Sequence, residues 1–291
     1  MGCYGECYNA KPPNIQKPEI LKMKITEICP FIFKRELPRI QSEVIDRAGR
    51  HLIVYPDGDI VQRHLSAGSA FCRAAVGMGY LTGHQMARAA MRYRLGMSRD
   101  GGVIFWQIDP LDRVCDGKVM YYRDDCHRDH DRLPTWVVSE LKAFYLDVCP
   151  DFVAELQPAH CLFGTHLLRY HGSPEATAGS MAVAVVEAEK TAVILSELYP
   201  QYLWLAAGGM NELTAAKLFP LRGRRIILFP DTDEDHKAFT CWYKVSKEAQ
   251  RLLGHPVHLS PLLEQRATRE QKRRKIDLVD YYFETVRPTK P

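Results

Sequence analysis

Short apolar runs alternate with longer segments across residues 181–260, and this alternation constrains the fold more than any other feature of the chain. The apolar runs are MAVAVVE (181–187), YLWLAA (202–207), RRIILFPDTD (224–233) and PVHLS (256–260). The segments between them, 189–200, 211–219 and 237–254, predict helices. Strands joined by helices of this length form parallel βαβ units. The region therefore predicts an α/β fold built on an open parallel sheet with flanking helices.

Acidic and glycine residues follow three of these predicted strands. Glu187 follows the first strand, Gly208 and Gly209 follow the second, and Asp231 and Asp233 follow the third. Ligands of an open parallel sheet bind beyond the carboxyl ends of its strands. If these strands are neighbours, three carboxylates converge and raise one another's pKa, a penalty that Mg²⁺ or Mn²⁺ would remove. Taken singly, each acid is better explained as a helix N-cap or first-turn residue, whereas Glu187 together with Asp231 and Asp233 on separate strand ends favours the metal site.

The chain upstream predicts a second, β-containing unit. HQMARAAMRYRLG (84–96) predicts a helix that stops at Gly96, and residues 137–148 predict another helix. GVIFWQID (102–109) and KVMYYRDD (118–125) predict strands. We therefore expect an α+β subdomain to precede the parallel sheet. The expected divisions are 1–50 (an N-terminal arm and unassigned segment), 51–172 (the α+β subdomain) and 173–291 (the α/β domain with a basic C-terminal segment).

Composition restricts the compartment and the partners. The 291-residue chain is 46% hydrophobic and 25% charged, as expected of a globular protein, and no run is long enough for a membrane helix. Nine scattered cysteines without a signal sequence predict reduced thiols and a cytoplasmic location. No Cys and His spacing forms a recognised zinc framework, so zinc is not expected. The net charge of +4 permits nucleic-acid binding, and residues 266–275 hold six Lys or Arg against one Glu, which favours either nucleic-acid contact or a solvated helix.

Three strings in the predicted sheet carry a family resemblance. VVEAEKTA, AAGGMNEL and IILFPDTDED resemble the Toprim domain of bacterial-type primases, topoisomerases and some nucleases. The resemblance implies that Glu187 is an acid–base or metal-binding residue and that Asp231 and Asp233 bind metal. Ala188 stands where the family usually has glycine, so the turn after Glu187 has a Cβ to accommodate.

The resemblance continues upstream, in the order of a primase polymerase core. It is carried by YRLG (93–96), GVIFWQIDPLDRVCDGKVMYYR (102–123) and CLFGTHLL (161–168). By this alignment Lys118, and with less weight Arg123, faces template or nucleotide phosphates, the alternative being a solvated sheet face. Lys190, near the start of a helix beside Glu187, either binds a nucleotide phosphate or pairs with nearby acids.

Over roughly residues 90–285, the chain resembles still more closely the uncharacterised Toprim-like proteins of Bacteroidetes mobile elements, and the first ninety residues remain unassigned. The resemblance implies a primase-like nucleotidyltransferase in mobile-element replication that uses Mg²⁺ or Mn²⁺. Its expected partners are single-stranded DNA and nucleoside triphosphates, with a replicative helicase as a further candidate and no membrane. Two alternatives remain open, a non-catalytic nucleic-acid-binding accessory protein and a Toprim-type metal-dependent nuclease.

Overall fold

A computed structural model describes residues 40–45, 52–56, 58–146, 160–170 and 181–286. Most of the predicted N-terminal arm lies outside these residues. The strands are β1 (Ile40–Ile45), β2 (Leu52–Pro56), β3 (Gly96–Met97), β4 (Val103–Ile108), β5 (Val114–Met120), β6 (Thr135–Trp136), β7 (Ala182–Val186), β8 (Tyr202–Ala206), β9 (Ile226–Phe229) and β10 (Val257–Leu259). The α-helices are α1 (Gly58–His64), α2 (Ala70–Gly77), α3 (Gly83–Tyr93), α4 (Val137–Leu146), α5 (Glu189–Leu198), α6 (Lys237–Leu253), α7 (Leu262–Arg266), α8 (Arg269–Arg274) and α9 (Leu278–Tyr281).

The predicted parallel sheet is present. Its four strands lie in the order β10-β9-β7-β8, and every neighbouring pair is parallel. Val186, the last residue of β7, is in register with Ala206 of β8 and with Phe229 of β9. The carboxyl ends of these three strands are therefore level, which is the arrangement that the sequence required for a common site.

A second four-stranded sheet, with the order β3-β4-β5-β6, is antiparallel. Lys118 of β5 lies opposite Phe105 of β4 on one side and Trp136 of β6 on the other. The strand predicted over 102–109 is confirmed as β4. The strand predicted from residue 118 begins earlier, at Val114, because the chain turns back tightly after Asp109, which accepts the amides of Leu111 and Arg113.

One hydrophobic core joins the two sheets. Phe71 of α2, Phe105 of β4 and Val185 of β7 are fully buried members of the same cluster. Tyr93, at the end of α3, donates its hydroxyl to the backbone oxygen of Trp204 in β8, at 2.8 Å. These contacts fix the antiparallel sheet relative to the carboxyl end of the parallel one.

Two helix predictions need correction. The helix over 211–219 is replaced by two 3₁₀ turns, Met210–Glu212 and Ala216–Leu221, because Gly208 and Gly209 precede it and Pro220 interrupts it. The helix over 84–96 is confirmed as α3, but it ends at Tyr93, and Arg94 adopts the left-handed conformation. Gly96 lies in β3 and pairs with Ile104 of β4. No helix among the described residues has the length and apolar character to cross a bilayer.

Candidate functional site at the carboxyl ends of the parallel strands

Glu187 and Asp231 are brought together by the level strand ends. Glu187 directly follows β7, and its side chain is 8% exposed. Its Oε1 accepts a hydrogen bond from the backbone amide of Asp231, which lies two residues beyond β9, at 3.2 Å. The sequence prediction that these two acids converge is correct because β7 and β9 are direct neighbours.

Both carboxyl groups have raised pKa values. Burial, with contributions from the charges of Asp233 and Asp277, raises the pKa of Glu187 to about 7, although the amide of Asp231 opposes the shift. Asp231 retains some exposed surface. Burial of its carboxyl group and the charge of Glu187 nevertheless raise its pKa well above the ordinary value. The two acids therefore favour sharing a proton or a cation over carrying two uncompensated charges.

Asp233 has a different environment, because its carboxylate caps helix α6. Its Oδ1 accepts the amides of Asp235 and Lys237 at 2.9 and 3.0 Å, and its Oδ2 accepts the amide of Ala238 at 2.9 Å. Burial alone would raise the pKa of Asp233, but these three amides outweigh it and lower the pKa. The helix-cap alternative thus describes what Asp233 does in this structure. A ligand role for Asp233 stays a prediction.

Lys118 reaches this edge of the parallel sheet from the antiparallel sheet. Its Nζ lies 3.2 Å from Oε1 of Glu189 and donates to the backbone oxygen of Gly208 at 2.7 Å. The amide of Gly208 in turn donates to the backbone oxygen of Glu187 at 2.8 Å. Lys118 therefore clamps the two sheets together at the candidate site, and it acts through Glu189, to which the sequence assigned only a helix-start position.

Gly208 and Gly209 form a backbone turn next to Glu187. Gly208 has a φ of +94°, and an added Cβ would lie 3.2 Å from Oε1 of Glu189. A side chain at this position would therefore strain the backbone and displace the carboxylate that pairs with Lys118. Ala188 has a φ of −92° and a ψ of 141°, which any residue adopts. Its Cβ therefore leaves the geometry of the turn after Glu187 intact.

Lys190 lies in a buried network of acids. Its Nζ is 3.2 Å from Oδ2 of Asp277 and 4.0 Å from Oδ1 of Asp280. Burial alone would lower the pKa of Lys190, but these two carboxylates raise it. In this arrangement Lys190 forms an ion pair, one of the two alternatives that the sequence left open, and its phosphate role stays a prediction.

Asp277 belongs to the site although the sequence did not point to it. It is 4% exposed, accepts the hydroxyl of Thr191 at 2.7 Å, and its charge raises the pKa of both Glu187 and Asp231. The available signal was an acid directly after Ile276 in an apolar string, followed by Asp280 at capping-box spacing. Its link to the strand ends depends on tertiary folding alone.

Arg123 is not drawn into this cluster. Its guanidinium pairs with Asp125 at 3.1 Å, and the two side chains are 56% and 47% exposed. Exposed pairs of this kind contribute little stability. Arg123 remains available to an external anion, and its predicted contact with phosphate stays a prediction.

The donors for a metal ion are limited to a carboxylate pair. No group of three or more His, Cys, Asp or Glu side chains within the described ranges is arranged to hold a metal ion. Glu187 and Asp231 nevertheless fit a hard divalent cation, since burial and neighbouring carboxylates raise the pKa of both, and a bound cation would offset the cost of ionising them. Mg²⁺ is commonly held by only one or two carboxylates together with water and substrate phosphates.

Comparison with known proteins gives a family match and a distant structural likeness. A family model described as a domain of unknown function (DUF6371) matches residues 77–232. The crystal structure of the primase fragment of the bacteriophage T7 primase-helicase protein aligns with 68% of this chain and 66% of that chain, with 18% sequence identity and a TM-score of 0.38. No curated protein matches the chain. The family match over residues 77–232 includes Lys118, Glu187 and Asp231, whereas Asp233 and Asp277 lie beyond it.

Proposed function

The chain belongs to the DUF6371 family, and we propose that it is a primase-like nucleotidyltransferase that acts on single-stranded DNA with Mg²⁺ or Mn²⁺. The observation that carries the proposal is the pairing of Glu187 with Asp231 at level ends of adjacent parallel strands, both with raised pKa values. Perturbed acids gathered at a strand-end crevice are typical of functional sites. The Toprim-like strings around the same residues favour nucleic-acid chemistry over other uses of such a site.

In the proposed reaction a 3′-hydroxyl attacks the α-phosphorus of a nucleoside triphosphate, pyrophosphate leaves, and the hydroxyl proton passes to a base. Glu187 and Asp231 would hold the cation, which supplies compensation for the charge that develops on the phosphates. Glu187 is also the carboxylate that we propose as the acceptor of that proton. Asp233 keeps the turn after β9 in place by capping α6.

A second reading, a non-catalytic nucleic-acid-binding accessory protein, is favoured by a specific observation. The carboxylate of Asp233 is already engaged by three amides, and the described residues contain no ready-made three-ligand metal group. A Toprim-type nuclease uses the same acids with water as the attacking group, so the site alone does not separate it from a primase.

The test incubates the protein with single-stranded DNA, labelled ribonucleoside triphosphates and Mn²⁺ or Mg²⁺, and resolves the products on a denaturing gel. E187Q and D231N remove the proposed ligands, and E248Q, an exposed acid on α6, is the matched control. New oligomers made by wild type and E248Q but lost in E187Q and D231N support the proposal. Shortened DNA indicates the nuclease, and DNA binding without any product indicates the accessory protein.

A further inference from the structure

A cleft of about 380 Å³ opens over the strand ends, and its lining contains both acidic and basic side chains. Glu187 and Asp231 belong to this lining, and so do Lys272 and Arg273 of α8 and Lys275 directly after it, which together form the basic wall of the cleft. Pockets for small ligands have volumes of roughly 300–1,000 Å³. The cleft therefore has room for a compact ligand.

The position of the basic wall is fixed by backbone contacts. Thr268 and Gln271 form a capping box that starts α8. Just beyond the end of α8, the backbone oxygen of Ile276 accepts the amide of Thr232, between the two aspartates of the turn after β9, at 3.3 Å. The basic segment is thus tied to the same turn that presents Asp231, so cations and carboxylates face a common space.

Of the three basic residues, Lys275 is the one whose side chain contributes least to the structure. It follows α8 in the left-handed conformation, with φ at +56° and ψ at +52°, where glycine is the usual residue. This conformation is disfavoured for a residue with a Cβ. Lys275 is exposed, and its ammonium makes neither a hydrogen bond nor an ion pair with any residue that the structure describes.

The other cations differ in how firmly they are held. Arg273 pairs with Glu270 at 2.6 Å, but both side chains are more than half exposed, so the pair is readily exchanged for another anion. Lys272 donates to the backbone oxygen of Glu264 at 2.9 Å and lies 3.2 Å from the carboxylate of Glu264. Lys272 therefore stabilises the position of α8. Lys275 and Arg273 are therefore the cations of the basic wall that are available to a ligand.

We infer that Lys275 and Arg273 bind the phosphate chain of a nucleoside triphosphate whose opposite edge faces Glu187 and Asp231. This inference rests on the proposed function and assigns the substrate side of the same site. A triphosphate is a compact, highly charged group that is typically held between lysine or arginine side chains and a carboxylate-bound cation. The small volume of the cleft favours a free nucleotide over the backbone of a DNA strand, which needs an extended groove.

The test measures ATP affinity by isothermal titration in the presence of Mn²⁺. K275G removes the ammonium and relieves the left-handed strain, and R273A removes the second cation. R94G is the control for the relief of left-handed strain, because Arg94 is also a left-handed helix cap (φ +53°) and lies outside the cleft lining, although R94G also removes the ion pair of Arg94 with Asp112. We expect about tenfold weaker ATP binding in K275G and a loss of similar size in R273A. R94G should bind ATP as wild type does, and K275G should unfold at the same or a higher denaturant concentration than wild type.

The outcomes separate this inference from the proposed function. Mn²⁺ binding without nucleotide tests the carboxylates alone. If wild type binds no Mn²⁺, the proposed metal site is wrong, whereas the role of Lys275 is decided by the ATP titrations. ATP affinity that is unchanged in both K275G and R273A, or absent in wild type, overturns the inference even if Mn²⁺ binds. A single-stranded 12-mer serves as the competing ligand. If K275G weakens binding of the 12-mer but not of ATP, the wall contacts the nucleic-acid strand, and the nucleotide assignment is wrong.

Discussion

Replacing Glu187 with glutamine should stabilise the metal-free protein at alkaline pH. Glutamine has nearly the same shape and retains an oxygen that accepts the amide of Asp231. It cannot ionise, so it removes the cost of a buried negative charge beside Asp233 and Asp277. A substitution in the proposed site would therefore increase stability.

The magnitude follows from the pKa of Glu187, which rises from an ordinary value of 4.5 to about 7 in the folded protein. Between these two values the folded chain binds more protons than the unfolded chain, so the stability of wild type falls as pH rises through this window and then levels off. Each pKa unit corresponds to about 1.4 kcal/mol, which gives a difference of about 3 kcal/mol between E187Q and wild type above pH 8. Near pH 4.5 the difference should be close to zero.

The assay is urea denaturation of wild type, E187Q and E248Q at pH 5 and pH 8.5 with EDTA present. E248Q should match wild type within about 0.5 kcal/mol at both pH values, because Glu248 is exposed. E187Q should gain stability over wild type only at pH 8.5. If E187Q is equal to or less stable than wild type at pH 8.5, the ionised carboxylate of Glu187 does not destabilise the fold, and the electrostatic description of the site is wrong.

Three further substitutions test the supporting residues by urea denaturation. K118M should destabilise the protein by about 3–5 kcal/mol, because it leaves the buried carboxylate of Glu189 without its cation, and K118M/E189Q should recover most of the loss. Failure of the double variant to recover would show that Lys118 acts by packing instead. D233A should cost about 1–3 kcal/mol, since three amides at the start of α6 lose their acceptor, and a neutral effect would show that the cap is dispensable. G208A should cost about 1–2 kcal/mol through its φ of +94°, and wild-type stability would contradict the strain assigned to that turn.

Local sequence patterns were sufficient for the parallel sheet. The apolar runs that form β7, β8 and β9 are followed within two residues by Glu187, Gly208 and Asp231, so strand positions and the residues beyond them follow from the chain alone. The 211–219 segment failed because its helix-forming composition is overridden by Gly208 and Gly209 before it and Pro220 after it. Glycine and proline residues just outside an apparent helix pattern therefore decide the structure as much as the pattern itself.

The candidate site could be predicted only in part. Glu187 and Asp231 converge because strand order makes β7 and β9 neighbours, an assumption that the sequence suggested and the structure confirms. The contact between Lys118 and Glu189 joins residues 71 positions apart, and no local spacing encodes it. Lys275 and Asp277 belong to a segment whose return to the strand ends is set by packing, so composition showed their charge but not their place.

Direct measurement of Mn²⁺ binding by electron paramagnetic resonance, at pH 7.5 and without nucleotide, tests the central claim that Glu187 and Asp231 form a cation site. Wild type and E248Q should each bind one Mn²⁺, and binding should be lost in D231N and E187Q. The claim is contradicted if wild type leaves Mn²⁺ free in solution, or if D231N binds it as tightly as wild type does.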